Sequence, residues 1–452
     1  MENEENPPSE GTLSRKVKFI FTGAMWVTFV AFGASASMLG PARNDLAELL
    51  NSNFNDISIG TSCRGAGSCA GAILFAWLFT KVNRQRGMIA CIVGLAVTLF
   101  LVPSFRTVWL YWTSEVAYGV TAMGIDVACN AWILEIWEEA VNPYMQGLHF
   151  AFGLGMALGP LYLEPFLSPE QNKTASLNET SILNGTTSNR ETRIVVPYTI
   201  SSFFLLMVAA LMLFLHLRVP YKDPKRTVSG SKHSDGSDSN RLTTNTEEQG
   251  ERERKYYLTL IVLGSLFFCF YTGLELSTLN FLPEFAVVID LKLSKSRAAF
   301  LASVMSGAFA INRLISIFVA TKIKTKTMLL VSFAMLVTCN IILLIFANTS
   351  EVMLWIAVVV IGAGHSCVLP GFMSFMEQRM KVTTTVCSIF LLSAAAALIA
   401  TPIIIGNYVE KYPMTYVYIN LIGLTAVFII FSCLFVIDRK YHKHQKNLIM
   451  LQ

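Results

Sequence analysis

Twelve apolar runs dominate this chain, at about 18–40, 57–80, 87–103, 107–137, 142–165, 195–217, 257–285, 297–320, 327–347, 352–376, 384–408 and 414–437. Each is close to the ~20 residues a helix needs to cross a bilayer, so the chain is expected to be a polytopic membrane protein. Composition agrees: 53% of the residues are hydrophobic and only 14% charged, against roughly a quarter charged in an ordinary soluble domain, which argues against a soluble enzyme. The net charge of +5 does not point to nucleic acid, because the Lys and Arg residues flank apolar runs instead of forming one basic face. All nine cysteines fall inside apolar runs, with no spacing for a disulfide framework or zinc site, and read as small buried hydrophobes.

Orientation follows from the charges between the runs. Residues 1–14 are acidic and Pro-containing, and the first run follows Arg15, Lys16 and Lys18 with no small-residue cleavage site behind it, so the start is read as a retained cytoplasmic tail. With that end inside, 24 of the 35 Lys and Arg lie in cytoplasmic connections, nine lie outside, and Arg64 and Arg313 fall within spans, as the positive-inside rule requires. Sequons at Asn172, Asn178 and Asn184 in the loop between the fifth and sixth runs, and at Asn348 between the ninth and tenth, fall on the outer side and are expected glycosylation sites. Both termini are then cytoplasmic, and with no organelle address the plasma membrane is the expected location.

The connection at 218–256 is rich in Ser, Lys, Arg, Glu, Asp and Asn with almost no apolar residues, so it is expected to stay disordered. It divides the chain into a tail (1–17), a first six-helix bundle (18–217), the linker, a second six-helix bundle (257–438) and a basic tail (439–452). An all-α membrane protein of twelve transmembrane helices in two six-helix bundles resembles the major facilitator superfamily, whose halves are built from inverted three-helix repeats with the substrate at the midplane. In that fold helices three, six, nine and twelve are peripheral, while one, four, seven and ten line the cavity. The ionisable residues inside the spans, away from their ends, are Arg64, Glu115, Asp126, His149, Glu275, Arg313 and His365, and nothing comparable sits mid-span in a peripheral helix.

A charge at the bilayer centre costs roughly 2.5–3.5 kcal/mol on insertion scales, so each of these residues needs a partner or a purpose. Asp126 and Asn130 are four apart and share a helix face; carboxylate and amide together can bind sugar hydroxyls, and the carboxylate can hold a proton or sodium ion. The bland alternative is a static bridge from Asp126 to Arg64 or to a backbone group of helix two. Helix seven carries Tyr271, Glu275, Ser277, Thr278 and Asn280, too polar for lipid. Glu275 reads as a second coupling carboxylate or as a partner of Arg313. Arg64, a permanent cation followed by Gly65, Gly67 and Gly71, reads as a structural counter-ion or a gate. Gln146 and His149 on helix five, and His365 near Pro370 on helix ten, are either substrate contacts or packing residues. Glu115, near the outer end of helix four, is expected to reach water. Trp132 and Trp137 read as packing or interfacial residues.

Several motifs together resemble the sodium-dependent glucose transporters of that superfamily, relatives of the bacterial fucose:proton symporters. They are Gly40-Pro41 with Asp45-Leu46-Ala47, Cys63-Arg64 with Gly67 and Gly71, Asp126 with Asn130 and Trp137, Met145-Gln-Gly-Leu-His149-Phe150, Gly159-Pro160, Tyr271-x-Gly273-x-Glu275, and Arg313 with Phe318. The resemblance implies hexose uptake driven by sodium or protons, with Asp126 and Asn130 as the coupling and sugar-binding pair. The sequence departs from the family at Ser68, where an aromatic is usual, at Gly153, where the fucose symporters have a sugar-contacting Asn, and at Asn312, where a small residue is usual.

The expected site therefore has Asp126 and Glu275 for ion coupling, and Asn130, Gln146, His149, Tyr271, Asn280 and His365 for substrate. Arg64, Arg313, Arg84, Glu135 and Glu377 are the expected counter-ions or gates. Arg84 lies in Lys81-Val-Asn-Arg-Gln-Arg86, where the superfamily usually has Gly-x-x-x-Asp-Arg-x-Gly-Arg; Glu135 and the stretch Glu377-Gln-Arg379 stand at inner helix ends, as charge relays that hold an outward-open state or as topology charges. A sugar and the bilayer are the expected partners, with the chain a monomer and no cofactor beyond sodium or protons. An antiporter is the alternative, cued by Gly155-Met-Ala-Leu-Gly159-Pro160; a non-transporting receptor or scaffold is another. No nucleophile–base pair, metal cluster or phosphate loop points to an enzyme.

Overall fold

The computed structural model describes residues 14–79, 81–137, 141–168, 193–219, 243–320, 322–380 and 384–450. The first half contains α1 (Arg15–Ser37), α2 (Leu39–Leu49), α3 (Phe54–Leu78), α4 (Arg84–Leu101), α5 (Val108–Trp137), α6 (Val141–Leu163) and α7 (Val195–Arg218). The second contains α8 (Thr243–Val288), α9 (Lys295–Ala320), α10 (Thr325–Phe346), α11 (Glu351–Ser366), α12 (Val368–Glu377), α13 (Thr384–Tyr408) and α14 (Thr415–Met450). Since α2 continues α1 past a bend at Met38, and α12 continues α11 past a break at Cys367, the described residues form twelve rods that cross from one end to the other. The end with Ser168 and Asn348 is the sequon end; the one with Arg15 and Asp438 is the terminal end.

Polar residues just outside the apolar runs set the helix starts. Asn53 accepts the Asp56 N–H at 2.9 Å, Asn83 accepts those of Gln85 and Arg86, and Ser350 accepts that of Met353, each satisfying a donor the helix itself cannot. At the end of α2, Asn51 takes a left-handed backbone (φ 46°) while the N–H groups of Asn51 and Ser52 bond back to Glu48 and Ala47, a Schellman stop.

Ten of the rods are long and apolar enough to cross a membrane. The other two, α3 and α6, are 25 and 23 residues long and carry the polar residues Arg64, Gln146 and His149. The most lipid-facing helices include α7, α10 and α14, which expose Phe203, Leu217, Ile345, Ile422 and Ile429. Each half has its own apolar core, and Phe54 is the one fully buried first-half residue that joins the second core.

The linker expectation is corrected in part. Residues 220–242 lie outside the described residues, but α8 begins at Thr243, well before the apolar run. Its first turns are rich in Glu, Arg and Lys, good helix formers, and a Glu251–Lys255 pair one turn apart supports a helix already nucleated within the span. There α8 packs on the extended α14, with Tyr256 and Tyr441 stacked at 3.9 Å and the Tyr256 hydroxyl donating to Asp438.

Candidate functional site

Close packing of α3 on α5 sets the first charged group. Gly119 lies so near the Arg64 carbonyl that a Cβ would overlap it, and that contact aligns Arg64 with α5. Its guanidinium makes a two-bonded ion pair with Glu115 (2.6 and 3.1 Å) and covers the Tyr118 ring at 3.9 Å. Glu115 is 1% exposed, so the expectation that it reaches water is wrong: seven residues into α5 is deep enough to need a cation, and α3 supplies one. The alternative bridge from Arg64 to Asp126 is not formed.

Asp126, farther along α5, is half-buried, and its carboxylate takes its one hydrogen bond among the described residues from Asn130 Nδ2, at 3.0 Å. Trp137 donates to Thr22, and Trp132 is fully buried against Phe21. On α8, Glu275 is buried with no hydrogen bond or ion pair among the described residues; the charge acting on it is Arg313 of α9. The static Glu275–Arg313 bridge is therefore absent. Arg313 also acts on the half-buried His149 of α6, across the contact between halves where Gly153 faces Ala310.

Tyr271 and His365 satisfy each other. The Tyr271 hydroxyl lies 2.9 Å from His365 Nδ1 and 3.0 Å from its carbonyl, at the α11–α12 break beside Pro370, which has no N–H for the helix ladder. Asn312 fixes that break from α9, donating to the Ala363 carbonyl and Ser366 hydroxyl at 2.8 and 2.7 Å, which accounts for a polar residue before Arg313. Asn280 donates to its own helix and lines a water-sized cavity between the halves with Thr61, Ser277 and Thr401. Buried polar side-chain atoms without a partner include Gln146 Oε1, Thr272 Oγ1 and Arg313 Nε.

The gating residues separate by end. Arg84 pairs with Glu135 within the first half, while Arg379 pairs with Asp438 at 3.1 Å within the second. Of the Glu377-Gln-Arg379 stretch, Glu377 is exposed and Arg379 makes the ion pair. The hydrogen bonds and ion pairs described between the halves lie at the sequon end. Lys295 of α9 bonds Asp45 of α2 and Ser168, both at 2.7 Å, and Ser168 returns its N–H and hydroxyl to Asp45 at 2.8 Å. Asn44 donates to the buried Glu284 at 2.8 Å, and Ser296 donates to Glu164. Sequence reasoning missed this latch because charges at the ends of apolar runs read as topology signals.

The sequons at Asn172, Asn178 and Asn184 lie outside the described residues. Asn348 occupies the short turn between α10 and α11, where its side-chain oxygen accepts the Asp290 N–H.

Known proteins agree with this architecture. Residues 25–402 match the family model of the Major Facilitator Superfamily. The chain is 30% identical over 401 residues to sodium-dependent glucose transporter 1A of Mus musculus, covering 86% of this chain and 89% of that one. With sodium-dependent glucose transporter 1 of Homo sapiens it shares 28% over 397 residues, 85% and 73% of the two chains. Among solved structures, the inward open xylose transporter XylE from E. coli superposes with a TM-score of 0.67 at 11% identity, over 92% of this chain and 95% of that one. A D-xylose-proton symporter gives 0.65 at 12%, over 91% and 97%. The chain is thus a multi-pass membrane protein of the Major Facilitator Superfamily and belongs, within it, to the family of the sodium-dependent glucose transporters.

Proposed function

We propose that this protein is a secondary active transporter that takes up a hexose such as glucose, coupled to sodium or protons, by alternating access. The names of its relatives support the sugar and sodium; the carrying observation is the contrast among the acids that lie well inside the spans. Glu115 has Arg64, whereas Asp126 and Glu275 have no ion pair among the described residues. An acid without a bonded cation inside a bilayer is costly, and a mobile sodium ion or proton is the partner that removes the cost. In this reading Asp126 and Glu275 carry the ion, and Asn130, held on Asp126, reports its occupancy to the sugar. Gln146, His149 and Asn280 offer further hydroxyl contacts.

With the sequon end outside and both termini in the cytoplasm, the Asp45–Lys295–Ser168 latch closes the outer side, and the described charge pairs of the cytoplasmic ends stay within their own bundles. One chain supplies both halves, so a monomer suffices, in the plasma membrane. The antiporter cue has a packing role here, since Gly155 and Gly159 press against α1 backbone at Val30 and Ala34.

The test is uptake of a panel of labelled hexoses into cells displaying the protein, with external sodium present or replaced by choline and at neutral or mildly acidic external pH. Uptake that falls with sodium removal identifies sodium coupling, and uptake that follows acidity identifies proton coupling. Failure to move any sugar despite surface display overturns the reading.

A further inference from the structure

Arg43 of α2 is fully buried (0% exposed) and forms no ion pair among the described residues. A guanidinium carries five N–H donors and cannot shed its charge, yet here it has only long bonds to Thr61 (3.2 Å) and Ser58 (3.5 Å), and Nε has no partner at all. Its face is covered by a ring from the other half: Cζ stands 3.8 Å from the centroid of Phe281. Thr61 and Phe281, both in contact with it, also line the water-sized cavity with Ser277, Asn280 and Thr401.

That lining complements the arginine. The Ser277 and Thr401 hydroxyls and the Asn280 amide already donate to backbone carbonyls of their own helices, so what they have left is mainly acceptor capacity. Arg43 brings unused donors. A sugar hydroxyl both donates and accepts, and matches the two sets together. The charges acting on Arg43 also balance: Arg64 adds a second cation, and Glu115 and Glu284 supply two anions, so the site suits a neutral polyol over an anion.

We propose that Arg43, with Thr61 and the lining of this cavity, is an entry subsite for sugar hydroxyls, collapsed in the closed state by Phe281. When the halves part at the sequon end, Phe281 leaves with the second bundle and uncovers the guanidinium; on closure the ring takes the sugar's place, and the sugar moves on toward Asn130. A sugar arriving from the terminal end does not depend on a subsite closed to the size of a water. The inference rests on the sugar-transport reading and adds a residue outside its coupling set.

The experiment measures half-saturating sugar concentration from each side for the wild-type chain, Arg43→Lys and Thr61→Val, all normalised to surface protein. Lysine keeps the charge and the ring contact but loses the fork, so half-saturation from the sequon side is expected to rise about tenfold, equivalent to about 1.4 kcal/mol, with that from the terminal side unchanged. Thr61→Val, which keeps the shape, should move the same constant in the same direction and decides the matter if the lysine variant does not reach the surface. A shift that is equal from both sides, or no shift, overturns the subsite. A wild-type chain that moves no sugar overturns the transport reading itself, a different result.

Discussion

Arg64 grips Glu115 and leaves Asp126, about three turns along the same helix, without a bonded cation. Two acids on one strand of sequence thus have different work: one is a fixed part of the α3–α5 contact, and the other is free to take a mobile charge. Removing one partner of a buried pair strands the other, at about 3–5 kcal/mol. Glu115→Gln should therefore lower the melting temperature of the detergent-purified protein clearly, while Asp126→Asn leaves it near wild type. Equal melting temperatures for the two variants would contradict the distinction.

The latch between Asp45 and Lys295 is the most polar joint between the halves. Lys295 is lightly exposed, and Asp45 keeps two donors from Ser168 when the lysine is lost, so Lys295→Ala should weaken closure without stranding a bare carboxylate. The expected result is faster modification of Ser277→Cys by an impermeant thiol reagent applied at the sequon side, compared with the same cysteine in a chain that retains Lys295. No change in rate would mean that the latch does not hold this side shut.

Tyr271 and His365 bond each other within one half. Tyr271→Phe leaves a buried imidazole and a carbonyl at the α11–α12 break with one partner fewer, at about 1–3 kcal/mol. A lower melting temperature is expected even without sugar. If stability is unchanged and only sugar affinity falls, the pair is a direct ligand contact instead of a brace.

Asn348 is poorly placed for a glycan. Its side-chain oxygen is engaged by Asp290, and Ser350 of the same sequon caps α11. Asn348→Gln should leave the glycosidase-sensitive gel shift as it is, whereas replacing Asn172, Asn178 and Asn184 should remove it. A smaller shift in Asn348→Gln would show that this turn opens to the glycosylation machinery.

The spans were legible in the sequence because bilayer thickness sets one length, and most of the observed helices start and stop within a few residues of the apolar runs. What lay beyond the runs was less legible. The α8 extension into the linker is held by Glu–Lys pairing and by α14, contacts that hydropathy does not register. In the site, the Asp126–Asn130 pair was readable because helical spacing alone puts the two on one face. The partner of Arg64, the latch at Asp45 and the covered Arg43 depend on which helices pack together, and residue spacing within one helix carries no such information. Within Glu377-Gln-Arg379, the choice of Arg379 for the ion pair is the same lesson at smaller scale, since it depends on where Asp438 of α14 packs.

The central claim is that Asp126 carries the coupling charge. An asparagine in its place still offers an oxygen to Asn130 but can neither release a proton nor hold sodium by charge. Purified wild-type protein in liposomes should concentrate labelled sugar against its gradient when an ion gradient is imposed, and should exchange sugar for sugar without one. Asp126→Asn is expected to keep exchange and lose accumulation. Accumulation by that variant at the wild-type level would contradict the account.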